Sequence, residues 1–218
     1  MPELTGAQFS RLYDALLSAG PEVEQRVLEK CADRITVMTV SGVRQGIREG
    51  QDIHGRPFAP LKHPRASGRG SGLPLRDTGL LMASVSATMQ HNVVTLTVNH
   101  PGARILNEGG TIRPRKAKAL TIPISKEAAK IGSPGHGRFP RKLRFLPAQT
   151  AGGNVIGVLG EQKKEGQPFT LHYVLAKEVT IPARQYAGWS AYTLEKITAF
   201  LADEYAKEIV FLFNKGQL

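Results

Sequence analysis

The sequence predicts an α+β fold: N-terminal helices, a group of mostly antiparallel strands and a long C-terminal helix, with extended basic loops. Two observations predict it. Apolar residues recur at helical spacing near both ends of the chain, while the middle holds β-branched, alternating runs. The order of helices, then strands, then a helix is that of segregated elements rather than a βαβ series, and no repeat of fixed period occurs. The chain of 218 residues is long enough for one domain with a real core. It divides into a helical region 1–50, a basic Pro/Gly-rich loop 51–76, a strand-rich region 77–184 with a long insertion, and a C-terminal helix region 185–218.

Each element has its own signal. Thr5-Gly6-Ala7-Gln8 fits a capping box, and Phe9, Leu12, Tyr13 and Leu16 follow at helical spacing. Gly20 is expected to close this helix and Pro21 to open a second. That second helix carries Val23, Val27, Cys31, Ile35 and Met38 as one stripe and runs to about Arg48, with a break expected near Ser41-Gly42. The stretch QDIHGRPFAPLKHPRASGRGSGLPLR (51–76) reads as loop, mobile from about Lys62 to Gly72. Asp77-Thr78 is expected to cap a short helix bearing Leu80, Leu81 and Val85. Val93–Val98 (VVTLTV) is a strand, and Ala103–Glu108 a helical turn stopped by Gly109-Gly110. Further strands are expected over Ala119–Ile124, Lys142–Leu146, Asn154–Leu159 and Phe169–Leu175, separated by turns at 133–142 and 161–168. The last helix starts near Ser190, with Leu194, Ile197, Leu201, Tyr205 and Ile209 as its buried stripe.

Composition bounds the function. No stretch is apolar for the roughly 18 residues that a membrane helix needs, and the N-terminus lacks the basic-then-apolar order of a secretion signal. The expectation is a soluble chain folded in a cytoplasm, with no membrane partner. Cys31 is the only cysteine, which excludes an internal disulfide and a Cys-based zinc site. The net charge of +11 is unevenly spread. Residues 1–60 carry 7 Lys/Arg against 8 Asp/Glu, 61–120 carry 9 against 2, 121–184 carry 10 against 4, and 185–218 carry 3 against 4. The whole excess sits in the middle, where it attracts acidic proteins or phosphates.

Catalytic chemistry finds little support in the sequence. Of the six histidines, His54, His63, His100 and His136 lie in Pro/Gly-rich or turn-like surroundings, and neither they nor His91 and His172 sit in a nucleophile signature. No metal-binding pattern occurs, so no catalytic residue, metal or cofactor is expected. Asp203-Glu204 reads as a solvated helix face, and Gly68-x-Gly70-x-Gly72 lacks the lysine and preceding strand of a phosphate loop. The basic segments are better candidates. Lys62, Arg65 and Arg69, and Arg113, Arg115, Lys116 and Lys118, are expected to dock on a partner or a neighbouring subunit. Arg138, Arg141, Lys142 and Arg144 are candidates for non-specific DNA contact, with Phe139 and Phe145 a weak stacking signal.

Four stretches together resemble the virion morphogenesis family of tailed bacteriophages, the tail-completion or Mu-like protein G group. DIHGRPFAPL (52–61) resembles the family's P-x-G-x-x-W-x-P-L element, with Phe58 in the tryptophan slot. LRDTGLLMAS (75–84) resembles L-x-x-T-G-x-L-x-x-S, and ARILNEGG (103–110) resembles Y-A-x-I-H-x-x-G with Gly102 in place of tyrosine. IPARQY (181–186) resembles I-P-A-R-P-F, with Gln185 in place of the second proline. Their order and spacing span roughly residues 22–210; the segment 116–177 looks like an elaboration of the sheet. The resemblance implies a small curved sheet flanked by helices, in a non-enzymatic protein of the head–tail junction or tail end. It implies a ring, hexameric or otherwise, whose partners are its own copies, other neck and tail proteins, and the packaged DNA. Its place would be the virion, after assembly in the host cytoplasm. Within IPARQY, Arg184 could bind carbonyls or a carboxylate with its planar fork, and Trp189 could pack under the helix start. Either they lock the last helix to the sheet, or Arg184 reaches a neighbouring subunit.

Overall fold

The computed structural model describes residues 6–61, 72–135, 139–148, 153–162 and 168–215, with side chains from residue 20 onward. The fold is α+β, with a long helix at each end of the described chain and antiparallel strands between. In place of one sheet, the described residues form three antiparallel units: two pairs and a four-stranded sheet.

One helix, α1 (Gly6–Glu49), replaces the two expected at the N-terminus. Pro21 lies inside it. The pyrrolidine ring normally strains the residue before it by pressing on that residue's Cβ. Gly20 has none, so the pair passes through the helix at the cost of one main-chain hydrogen bond. The break expected at Ser41-Gly42 is absent too. Gly42 is there for approach: a Cβ on it would collide with Oγ1 of Thr193.

The buried stripe of α1 is Val23, Val27, Cys31, Ile35, Thr39, Val43 and Ile47. Four residues turn a helix by about 40° more than one full turn, so the stripe winds around the cylinder. Its first half therefore packs on α5 (Ala191–Asn214), against Ile197 and Leu212. Its second half faces Phe58, Leu81, Val85 and Tyr186. Thr39 is admitted to the stripe because its hydroxyl donates to the Ile35 carbonyl at 2.8 Å.

The short helix α2 (Leu80–Ala83) is preceded by Gly79, whose φ of 79° is left-handed. Asp77 and Thr78 do not form the expected side-chain cap; the Thr78 hydroxyl only accepts from the Leu80 N–H at 3.4 Å. Val85 opens a strand rather than closing the helix. Strands β1 (Val85–Gln90) and β2 (Val93–Val98) form a hairpin. Its turn, His91-Asn92, has φ of 49° and 61°, the left-handed pair of a tight two-residue loop.

After α3 (Ala103–Glu108) the chain enters a second lobe through β3 (Gly110–Ile112) and leaves it through β8 (Val179–Ile181), paired antiparallel as a stem. The described residues of the segment 116–177 lie in this lobe. It contains β4 (Leu120–Pro123), helix α4 (Lys126–Ile131), β5 (Arg144–Pro147), β6 (Val155–Glu161) and β7 (Thr170–Ala176), with strand order β4-β7-β6-β5. Its own small core is Ala128, Phe139 and Tyr173. Ser190 then caps α5, its Oγ accepting from the Thr193 N–H at 3.2 Å. The inward residue of this first turn is Thr193; Leu194 is exposed, not buried as expected.

Candidate functional site

The four family-like stretches meet at one place. The Ile53 N–H donates to the Gln185 carbonyl at 2.9 Å, tying the first stretch to the last. Asp52 closes its own turn by accepting from the His54 and Arg56 N–H groups at 2.9 Å and from Arg56 Nε at 2.8 Å. The N–H of Arg184 is shared between the carbonyls of Leu106 and Asn107, at 3.2 Å each. Those carbonyls belong to the last turn of α3 and have no partner within the helix. The Asn107 Oδ1 accepts from the Ala187 N–H at 3.0 Å, and the Tyr186 hydroxyl donates to the Ala103 carbonyl at 3.1 Å. Gly109 lets the strands close, since a Cβ there would stand 2.6 Å from the Ala183 nitrogen.

Arg184 lies in the middle of this node, 6% exposed, with Nε donating to the Ala59 carbonyl at 3.2 Å. Its guanidinium is thus turned into its own chain. Trp189 is half-buried against the α1–α5 core. Sequence reasoning missed Arg44, which reaches from α1 to the Met82 and Val85 carbonyls at 3.0 and 3.1 Å and pins the α2–β1 junction.

Beside the node runs a groove of about 890 Å³, between the end of α1, the turn at Ile53–Gly55 and the start of α5. Trp189, Tyr192 and Leu194 supply apolar lining, and Glu49 and Asp52 supply acid. Of the predicted basic residues that the structure describes, none lines it. Lys62, Arg65, Arg69 and Arg138 lie outside the described residues. Arg115, Lys116 and Lys118 are exposed on the connection between β3 and β4. Arg113 pairs with Glu178 at 2.9 Å across the stem. Lys142 and Arg144 are exposed at β5.

Arg141 belongs to a different arrangement, a polar cluster in the second lobe. Between the pairs Leu159–Tyr173 and Gly160–Leu171, β7 advances two residues while β6 advances one. His172 is the extra residue of this bulge. The bulge brings His172 and Tyr173 to the face that Glu161 shares, and the Phe139 ring packs on both, with centroids at 4.7 and 6.0 Å. Gly160 permits the bulge: a Cβ on it would run into the Thr170 carbonyl and the Phe169 ring. Arg141 Nε donates to Glu161 and its Nη2 to Glu127 at 2.6 Å. His172 Nε2 faces Glu161 Oε1 at 3.4 Å, and its Nδ1 lies 2.8 Å from Ser125 Oγ, which also accepts from the Ala128 N–H at 3.0 Å. The Arg141 hydrogen bond, followed by that of His172, holds Glu161 below the ordinary carboxylate range against its burial. Burial, with the charge of Glu127, pushes the Tyr173 hydroxyl up.

Glu127, Glu161 and His172 offer three ligand atoms within 4.8 Å of one another and could hold a cation. Sequence reasoning named Arg141 for DNA and grouped Glu161 with an exposed turn; the bulge that buries it leaves no mark in a one-dimensional pattern. No family model, curated protein or solved structure matches this chain.

Proposed function

We propose that this chain is a structural subunit of a tailed-phage virion, acting at the head–tail junction or tail end and assembling as a ring. The observation that carries the proposal is the node. Of the four stretches picked out by resemblance alone, from Asp52 to Tyr186, three are joined by main-chain hydrogen bonds, and the fourth, 75–84, packs Leu81 into the core it shares with Phe58 and Tyr186. Residues that resemble a family pattern and are also mutually bonded behave as the framework of one fold. A ring needs two unlike surfaces on each subunit. The groove beside Trp189 is one. The end of α5, where Val210 and Phe213 are 58% and 51% exposed, is an apolar second. On this proposal the chain carries out no reaction, and the basic stretch 113–118 docks an acidic partner.

The test is electron microscopy of lysates from a host whose phage lacks the gene. DNA-filled heads beside unattached tails, or tails of abnormal length, are the expected outcome. Normal infectious particles overturn the proposal. The exposed cations Arg115, Lys116, Lys118, Lys142 and Arg144 favour one second reading, non-specific DNA binding. Its mark is an affinity that falls steeply with salt.

A further inference from the structure

We propose that Glu127, Glu161 and His172 form a site for a divalent transition-metal cation of the zinc type, which Arg141 fills with its guanidinium when no metal is bound. The donor set is one imidazole nitrogen and two carboxylate oxygens, a combination zinc accepts with a fourth position open. Bonds of about 2.1 Å place tetrahedral ligands about 3.4 Å apart. The three atoms here lie within 4.8 Å of one another, so each needs only a small inward shift. Glu127 sits on α4 and its side chain is 38% exposed, which leaves it free to make that shift.

Three independent features point the same way. His172 is held by its other ring nitrogen on Ser125 Oγ at 2.8 Å, the arrangement that orients a metal-binding imidazole. With Nε2 on the metal, Nδ1–H donates to that oxygen, which has a second lone pair for the Ala128 N–H. Next, Tyr173 is fully buried on the same face of the bulge, and its hydroxyl is the one buried side-chain polar atom among the described residues without a hydrogen-bond partner. A buried hydroxyl left unpaired is costly, and a water brought in by the metal could supply the missing partner. Last, the Arg141 side chain is 43% exposed. It can swing to solvent and leave both carboxylates to a cation of higher charge.

The test is calorimetric titration of the full chain with zinc chloride alone, with circular dichroism confirming each variant's fold. One zinc per chain is expected to bind saturably. Glu127→Gln, on the exposed side of the site, weakens binding by about 10–100-fold, and Ser125→Ala by about 10-fold through the lost orientation of His172. Arg141→Ala removes the competing cation and tightens binding. A purely structural ion-pair network gives the opposite pattern: no saturable binding, or binding that Glu127→Gln and Arg141→Ala leave unchanged. Either result overturns the proposal.

Discussion

Gly42→Ala gives the sharpest test of how α1 and α5 are held together. In an ordinary helix interior this change stabilises by about 1 kcal/mol, because alanine has the better helix propensity. Here the new methyl meets Thr193. Its Cβ would stand 2.9 Å from Thr193 Cγ2 and 3.1 Å from Thr193 Cβ, and closer still to Oγ1. Rotating Thr193 gives no relief, since both branches and the Cβ are within reach. Thr193 is also pinned, 6% exposed, with its hydroxyl 2.8 Å from Ser190 Oγ in the cap of α5. The helices must therefore separate. Overpacking of this kind costs about 1–3 kcal/mol, so the net expectation is a loss of about 1 kcal/mol. In a chain of this size that lowers Tm by about 2–4 °C. The assay is thermal and urea unfolding of wild type, Gly42→Ala, Thr193→Ala and the double variant. In the double variant the methyl enters space left by Oγ1 and Cγ2, so the two costs should fall short of additivity by about 1 kcal/mol. Thr193 Cβ remains, so the rescue is partial. A Gly42→Ala protein more stable than wild type would refute the close approach.

Other perturbations test other parts. Arg184→Lys removes the Nε donor to Ala59 inside the node and is expected to destabilise by about 1–3 kcal/mol; unchanged urea unfolding would contradict this. Glu204, joined to Lys30 at 3.4 Å and Lys207 at 2.8 Å, is held below its ordinary value of 4.5, first by the Lys207 hydrogen bond. Its contribution to stability is present above pH 4.5 and is lost as pH falls through the lowered folded value. Glu204→Gln should flatten that acid limb of the pH–stability curve. Cys31 is 3% exposed, and burial followed by the charge of Glu204 pushes its thiol up; its reaction with a thiol reagent should proceed at the rate of unfolding. Reversing Arg115, Lys116 and Lys118 to glutamate should leave the circular dichroism spectrum unchanged while abolishing particle assembly in a complementation assay.

Elements whose signal is local were legible in the sequence. VVTLTV alternates β-branched residues and is β2 residue for residue; ARILNE is bounded by Gly109-Gly110 and is α3. The start of the last helix near Ser190 was readable, and it is set locally, since the Ser190 hydroxyl needs only the Thr193 N–H three residues on. Errors arose where a residue answers to something distant. Gly42 reads as a helix weakness because its partner is residue 193. Leu80, Leu81 and Val85 have helical spacing, but β2 recruits Val85 into a hairpin whose turn contains no glycine. The three-residue strands β3 and β8 are too short to show a period and exist only as each other's partner. The site divides in the same way. Arg184 was marked by its own motif, whereas Ser125, Glu127, Arg141, Glu161 and His172 become neighbours only through the bulge.

The two lobes assign different physical work to charge. In the node the arginines are consumed: Arg44 and Arg184 spend their donors on carbonyls left open at the junctions of short elements. In the second lobe Arg141 neutralises two carboxylates, and Arg113 one across the stem. What then remains for a partner is not the whole basic excess of residues 61–184. Among the described residues it is Arg115, Lys116 and Lys118 on one connection, Lys142 and Arg144 at β5, and the scattered Lys126, Lys130 and Lys177. A docking reading that relies on total charge predicts that neutralising any cation weakens assembly equally. The structure predicts a split instead: substitutions at Arg44, Arg141 and Arg184 act through stability, while those at Arg115, Lys116 and Lys118 act on association alone. Measuring unfolding and assembly in parallel on both groups separates the two, and equal effects on both readouts across all six would remove the basis for calling 113–118 a docking segment.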